Sequence, residues 1–133
     1  MQTRNGTDVY WGVTMGENKL DDVYGALRVV MLRHADSLVV ATDSATQLSI
    51  EASEPEENGK TFWYGGVHLK KNYVSYHLMP VYENPALLDD ISPRLRARMQ
   101  GKACFNFKTI DDELFAQLDV LTGVGFRDFT EHK

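Results

Sequence analysis

The chain has 133 residues, 43% of them hydrophobic and 25% charged, with a net charge of −5 at neutral pH. That length suits one domain with a core of its own, and the acidic balance speaks against general nucleic-acid binding, which calls for a basic surface. A lone cysteine, Cys104, excludes an intrachain disulfide, no apolar run approaches the roughly 18 residues of a membrane span, and the first residues lack the apolar stretch of a signal peptide, so the expectation is a cytoplasmic protein without membrane contact.

Residues 1–17 hold Gly6, Gly12 and Gly16 with little periodicity and read as an N-terminal arm; residues 18–133 read as one domain. From Asn18 to Ala35, Leu20, Val23, Tyr24, Leu27, Val30, Met31 and His34 recur at three- and four-residue steps, the apolar stripe of a helix. Asp21 and Asp22 in its first turn and Arg33 in its last suit the helix dipole. Leu38 to Thr42 has the composition of a buried strand, and Asp43-Ser44 that of a turn. Leu48, Ile50 and Ala52 then alternate with Gln47, Ser49 and Glu51 as a half-buried strand. Ser53 to Lys60 is an acidic loop closing on the turn dipeptide Asn58-Gly59.

Residues 61–82 read as a β-hairpin that turns near Lys70, Lys71 and Asn72. Its side chains are aromatic or aliphatic on both faces, whereas a sheet with one wet face alternates apolar with polar. Period-two alternation puts Trp63, Gly65, Val67, Leu69, Val74, Tyr76 and Leu78 on one face, expected to meet the helices. Phe62, Tyr64, His68, Tyr73, Ser75, His77 and Met79 fall on the other. A one-residue bulge at Gly65-Gly66 would exchange the faces of the first strand.

Pro85 breaks the pattern, and Ser92-Pro93 opens a short helix ending at Gly101, with serine as cap and proline in the first turn. Lys102 to Lys108 alternates again, with Ala103, Phe105 and Phe107 on one face. Thr109 to Asp112 resembles a capping box; Ile110, Leu114, Phe115, Leu118 and Leu121 follow at helical spacing, and Gly123 and Gly125 are expected to end that helix, leaving Phe126 and Phe129 to pin the tail. The fold class is therefore α+β, an antiparallel sheet of about five strands with N- and C-terminal helices packed on one face.

Three stretches together, Tyr64-Gly65-Gly66-Val67 running into Tyr73-Val74-Ser75-Tyr76-His77-Leu78-Met79-Pro80, then Met99 to Lys108, then Asp112 with Leu114 and Leu118, resemble the YdhG-like proteins, a family of unknown function. The resemblance covers roughly residues 18 to 122. It implies a frataxin-like sandwich and, through a relative described as an iron chaperone, iron as a ligand held by acidic side chains along the first helix. Glu17, Asp21, Asp22 and Asp36 match those positions, interrupted by Lys19, Arg28 and Arg33.

The candidate chemistry is sparse. No two histidines sit at helical ligand spacing, and His68 and His77 lie on opposite strands of the hairpin, as ordinary sheet histidines do. Cys104, between Ala103 and Phe105, reads as a buried inert thiol. The carboxylates of the 51–57 loop and of Asp111, Asp112 and Glu113 lack any defined metal-loop spacing and read as a solvated loop and a helix start. Arg94, Arg98 and Lys102 make a basic run able to hold an anion. With no catalytic signature, the expectation is a non-enzymatic interaction protein that meets a protein partner or a second copy through Phe62, Tyr64, His68, Tyr73, Ser75, His77 and Met79, an aromatic and polar mixture suited to contact surfaces. The alternative is a small-molecule or catalytic protein with a pocket beside that face.

Overall fold

Alternation and helical periodicity resolve into five strands and their covering helices over residues 19–52 and 62–131, which the computed structural model describes. The strands are β1 (Val39–Asp43), β2 (Gln47–Glu51), β3 (Trp63–Leu69), β4 (Val74–Leu78) and β5 (Cys104–Phe107). They form one antiparallel sheet in sequence order. The helices are α1 (Lys19–Leu32), α2 (Met79–Glu83), α3 (Pro93–Arg96) and α4 (Asp112–Glu131), with a 3-10 turn at Pro85–Leu88. This is the expected α+β class. The predicted arm 1–17 with Glu17, the whole of the acidic loop 53–60, and His132 lie outside the described residues.

The apolar stripe of α1 is buried at Val23, Tyr24, Leu27, Val30 and Met31 and lies across β3 and β4. Leu114, Phe115, Leu118, Leu121 and Phe126 of α4 are buried too. From the sheet, Leu48, Ile50, Val67, Val74, Tyr76, Leu78, Phe105 and Phe107 meet them. Two hydroxyls that this packing takes deep inside match each other: Tyr76 Oη lies 2.6 Å from Thr122 Oγ1. Such pairing is needed, because an unmade buried hydrogen bond costs about 1–3 kcal/mol.

Six expectations about this frame need correction, two of them in short elements: α3 stops at Arg96 rather than Gly101, and β1, expected to be buried, is exposed throughout. The first helix ends at Leu32, not Ala35; the last amides tighten to 3-10 bonds, with Ala35 N–H donating to the Leu32 carbonyl. The hairpin's second strand stops at Leu78, and Met79 opens α2 with Pro80 in its first turn, where the missing N–H has no helical partner to lose. The cap of α4 is Asp111 rather than Thr109, since Asp111 Oδ1 accepts from Leu114 N–H at 3.1 Å.

Lastly, Gly123 and Gly125 do not end α4, which runs on to Glu131. Each interior glycine costs a helix about 1 kcal/mol relative to alanine. Here they admit neighbours: a Cβ on Gly123 would lie 2.9 Å from His34 Cε1, and one on Gly125 3.2 Å from Pro80 Cβ. The close approach lets the helix continue and deliver Phe126 and Phe129 onto the sheet, where Tyr64 sits 5.2 Å from the Phe126 ring.

Candidate functional site

The register of β3 decides which side chains share the outer sheet face. Ile50 pairs with Gly65 but Glu51 pairs with Trp63, so Tyr64 is an extra residue, a bulge one place before the glycine pair. The bulge turns Tyr64 toward the helices and Trp63 away from them. Phe62 stacks on Phe129 at 4.3 Å and Tyr64 packs edge-on to both. Phe62 and Tyr64 therefore leave the predicted contact face and join the core side, and Met79 leaves it by entering α2. Trp63, expected against the helices, lies instead 5.5 Å from the His77 ring. The glycines follow from the same crowding, since a Cβ on Gly65 would collide with the His77 carbonyl and one on Gly66 with that of Leu48.

Of the predicted set, His68, Ser75 and His77 come together with Cys104, which was expected to be a buried inert thiol, and with Asn106, which was not among the predicted residues. Ser75 Oγ is 2.9 Å from His77 Nε2 and 2.8 Å from Cys104 Sγ, and the thiol donates to Asn106 Oδ1 at 3.4 Å. His68 and His77 stand on diagonal rungs with ring centres 5.0 Å apart. Tyr73, half-buried, precedes β4 and accepts the Lys70 N–H that closes the turn. Cys104 and Asn106 were legible as the complement of Phe105 and Phe107 on an alternating strand. Trp63 was not, because a bulge leaves no clear mark in composition.

Protonation decides what this cluster can do. Burial, with His68 and Lys70 adding to it, lowers His77 to about 4. Burial and Lys70 also lower His68. Burial raises the Cys104 thiol, against smaller opposing effects of Ser75 and Lys70. Near neutral pH the cluster is thus a thiol, two neutral imidazoles and a hydroxyl, with no thiolate–imidazolium pair. Trp63 Nε1 and His68 Nε2 are buried without hydrogen-bond partners among the described residues.

The other predicted groups are dispersed. Arg94 is held by Asp111 at 2.5 Å and Glu113 at 2.6 Å, so its guanidinium is taken by carboxylates. Arg98 lines a recess with Lys108 and Thr109, while Lys102 is exposed and outside it. Asp21 and Asp22 lie in the first turn of α1. Among the described residues no three or more His, Cys, Asp or Glu side chains gather where they could hold a metal ion, and no helix is long and apolar enough to cross a membrane. His34 Nε2, 2.7 Å from Asp119 Oδ1, ties α1 to α4.

The two sheet edges differ. Along β5 the chain folds back on itself: Asn106 N–H donates to the Arg98 carbonyl, Gln100 N–H donates to the Cys104 carbonyl, and Met99 bridges to Phe105. Ser92 sets this up by capping α3, accepting from Leu95 N–H at 3.1 Å, and Gly101 turns the return at φ +78°. At the opposite edge every residue of β1 is exposed, Val39 and Val40 each at 43%. A bulge at Ala41 bends β1, and its far end is moored to α1 by the Arg28–Asp43 ion pair at 2.6 Å and by Tyr24 Oη donating to the Ser44 carbonyl. Among the described residues that strand leaves one side of its backbone without a partner strand. No family model, no curated protein and no solved structure matches the chain, so none of these comparisons supports the likeness to the YdhG-like proteins.

Proposed function

We propose that this is a non-enzymatic binding protein that works through its open sheet edge, pairing β1 with β1 of a second copy so that the sheet continues across a two-fold axis. The observation that carries this reading is that every residue of β1 is exposed, Val39 and Val40 at 43% each, beside an opposite edge that the chain covers itself. Strand addition gains main-chain hydrogen bonds and pockets for alternate side chains. A two-fold pairing brings the Val39 end of one copy against the Asp43 end of the other. Asp43 is drawn back onto Arg28, which holds its carboxyl below the usual value. Like charges therefore do not meet across the axis. Five residues bury little area, so the association is weak and reversible.

Binding rather than catalysis is favoured by the polar cluster, whose cysteine burial keeps as the thiol, with no imidazolium beside it to favour a thiolate. Sedimentation velocity over a wide concentration range tests the proposal. The wild type should shift toward dimer as concentration rises. Val40→Lys, an edge charge of the kind that blocks strand pairing, should stay monomeric with its fold intact. A wild type that is monomeric throughout, or a Val40→Lys variant that associates equally well, ends this reading.

A further inference from the structure

A cleft of about 820 Å³ runs between α4 and residues 86–92, within the range of ligand pockets. Leu87, Ile91, Val120 and Val124 supply apolar wall, and the exposed Ala116 lies along it. Val120 is 67% exposed. The helix thus carries apolar residues on a side that faces away from its own core, where polar ones are the rule.

The polar groups of the cleft are few and of one kind. Ser92 Oγ accepts the Leu95 N–H and donates to Gln117 Oε1 at 2.8 Å, which fixes the amide orientation and leaves Gln117 Nε2 as a free donor. Glu113 is neutralised by Arg94. Among the described residues Asp90 has no hydrogen bond or ion pair, and no lysine, arginine or histidine lines the cleft. Its uncompensated charge is therefore one carboxylate beside an apolar floor and one neutral donor. We infer that the cleft binds a small amphiphilic amino alcohol. The apolar body lies on Val120 and Val124, the protonated amine meets Asp90, and the hydroxyl oxygen accepts from Gln117. An anionic amphiphile of the same length is repelled by Asp90 and finds no cation among the described lining residues.

Calorimetric titration with 2-(decylamino)ethanol and with decanoate, together with amide chemical-shift mapping, tests this. The amine should bind saturably at one site, with shifts confined to the 86–92 and 113–124 segments, and decanoate should bind at least about tenfold more weakly. Ala116→Trp, an exposed change that fills the cleft, should weaken the amine at least about tenfold with unfolding unchanged. Asp90→Asn should bring the two ligands to about equal affinity. Unsaturable uptake, shifts elsewhere, equal affinity of the wild type for both ligands, or undiminished binding by Ala116→Trp would overturn the inference.

Discussion

The two edges of the sheet solve the same problem differently. Both β1 and β5 are short strands with one side unpaired by the sheet. At β5 the chain supplies its own cover: residues 98–100 return along the strand and take up its outward groups, and Phe105 and Phe107 are buried beneath. At β1 nothing comparable is present among the described residues, and two valines stand exposed. An unpaired edge is a template for another chain. A protein that covers one edge and leaves the other open has a direction in which to grow. The covered edge belongs to the core, and the open one has no partner strand among the described residues.

The largest effect that can break this comparison is on stability. Phe105→Ala should cost about 3–5 kcal/mol, because it empties a fully buried site. Val39→Ala on the open edge should stay within about 0.5 kcal/mol in dilute solution. Urea unfolding of the two variants checks the pair, and similar losses at both edges would erase the distinction.

Next in size is pH. His77, against Trp63, His68 and the β5 thiol side, is held well below the ordinary imidazole value, at about 4. Its stabilising neutrality is complete above about 6.5. As pH falls from there toward 4, the unfolded chain takes up a proton that the folded chain refuses, and stability drops. Water reaches part of the ring, and screening limits the loss to roughly 1–2 kcal/mol. His68, also lowered, adds in the same direction. The open edge titrates lower down. Asp43, lowered by Arg28, contributes stability above its ordinary value and loses it only as pH falls below that. Unfolding midpoints from pH 8 to 3 in wild type and His77→Asn should separate the two windows, and an unchanged slope between 6.5 and 4 in the variant would remove His77 from the account.

The smallest effect sharpens the comparison at the covered edge. Gln100→Pro removes the N–H that reaches the Cys104 carbonyl. It should cost about 1 kcal/mol, the worth of one net hydrogen bond, and it should speed hydrogen exchange at Asn106 N–H, which the same return segment protects. Exchange there at the wild-type rate would mean that the return segment covers little.

Much of the frame was legible in the residues. Helical spacing located the buried faces of α1 and α4, alternation located β2 and β5, and Ser92-Pro93 located the start of α3, because each signal lies within a few residues and depends on backbone geometry alone. The candidate surfaces were less legible. Phe62 and Tyr64 were placed on the wrong face, since a single inserted residue reverses a strand without changing its composition. The glycines of α4 looked like stops and proved to be points of contact with His34 and Pro80.

The amino-acid sequence by itself determined the α+β class, the order of elements and which helix stripes are buried, since periodicity and capping are local properties. Tertiary structure alone decided that Trp63 joins His77 and Cys104, that residues 98–100 close one edge while β1 stays open, and that a cleft lies beside α4. These depend on register and on contacts between segments far apart in the chain, where a shift of one residue exchanges the side chains that meet.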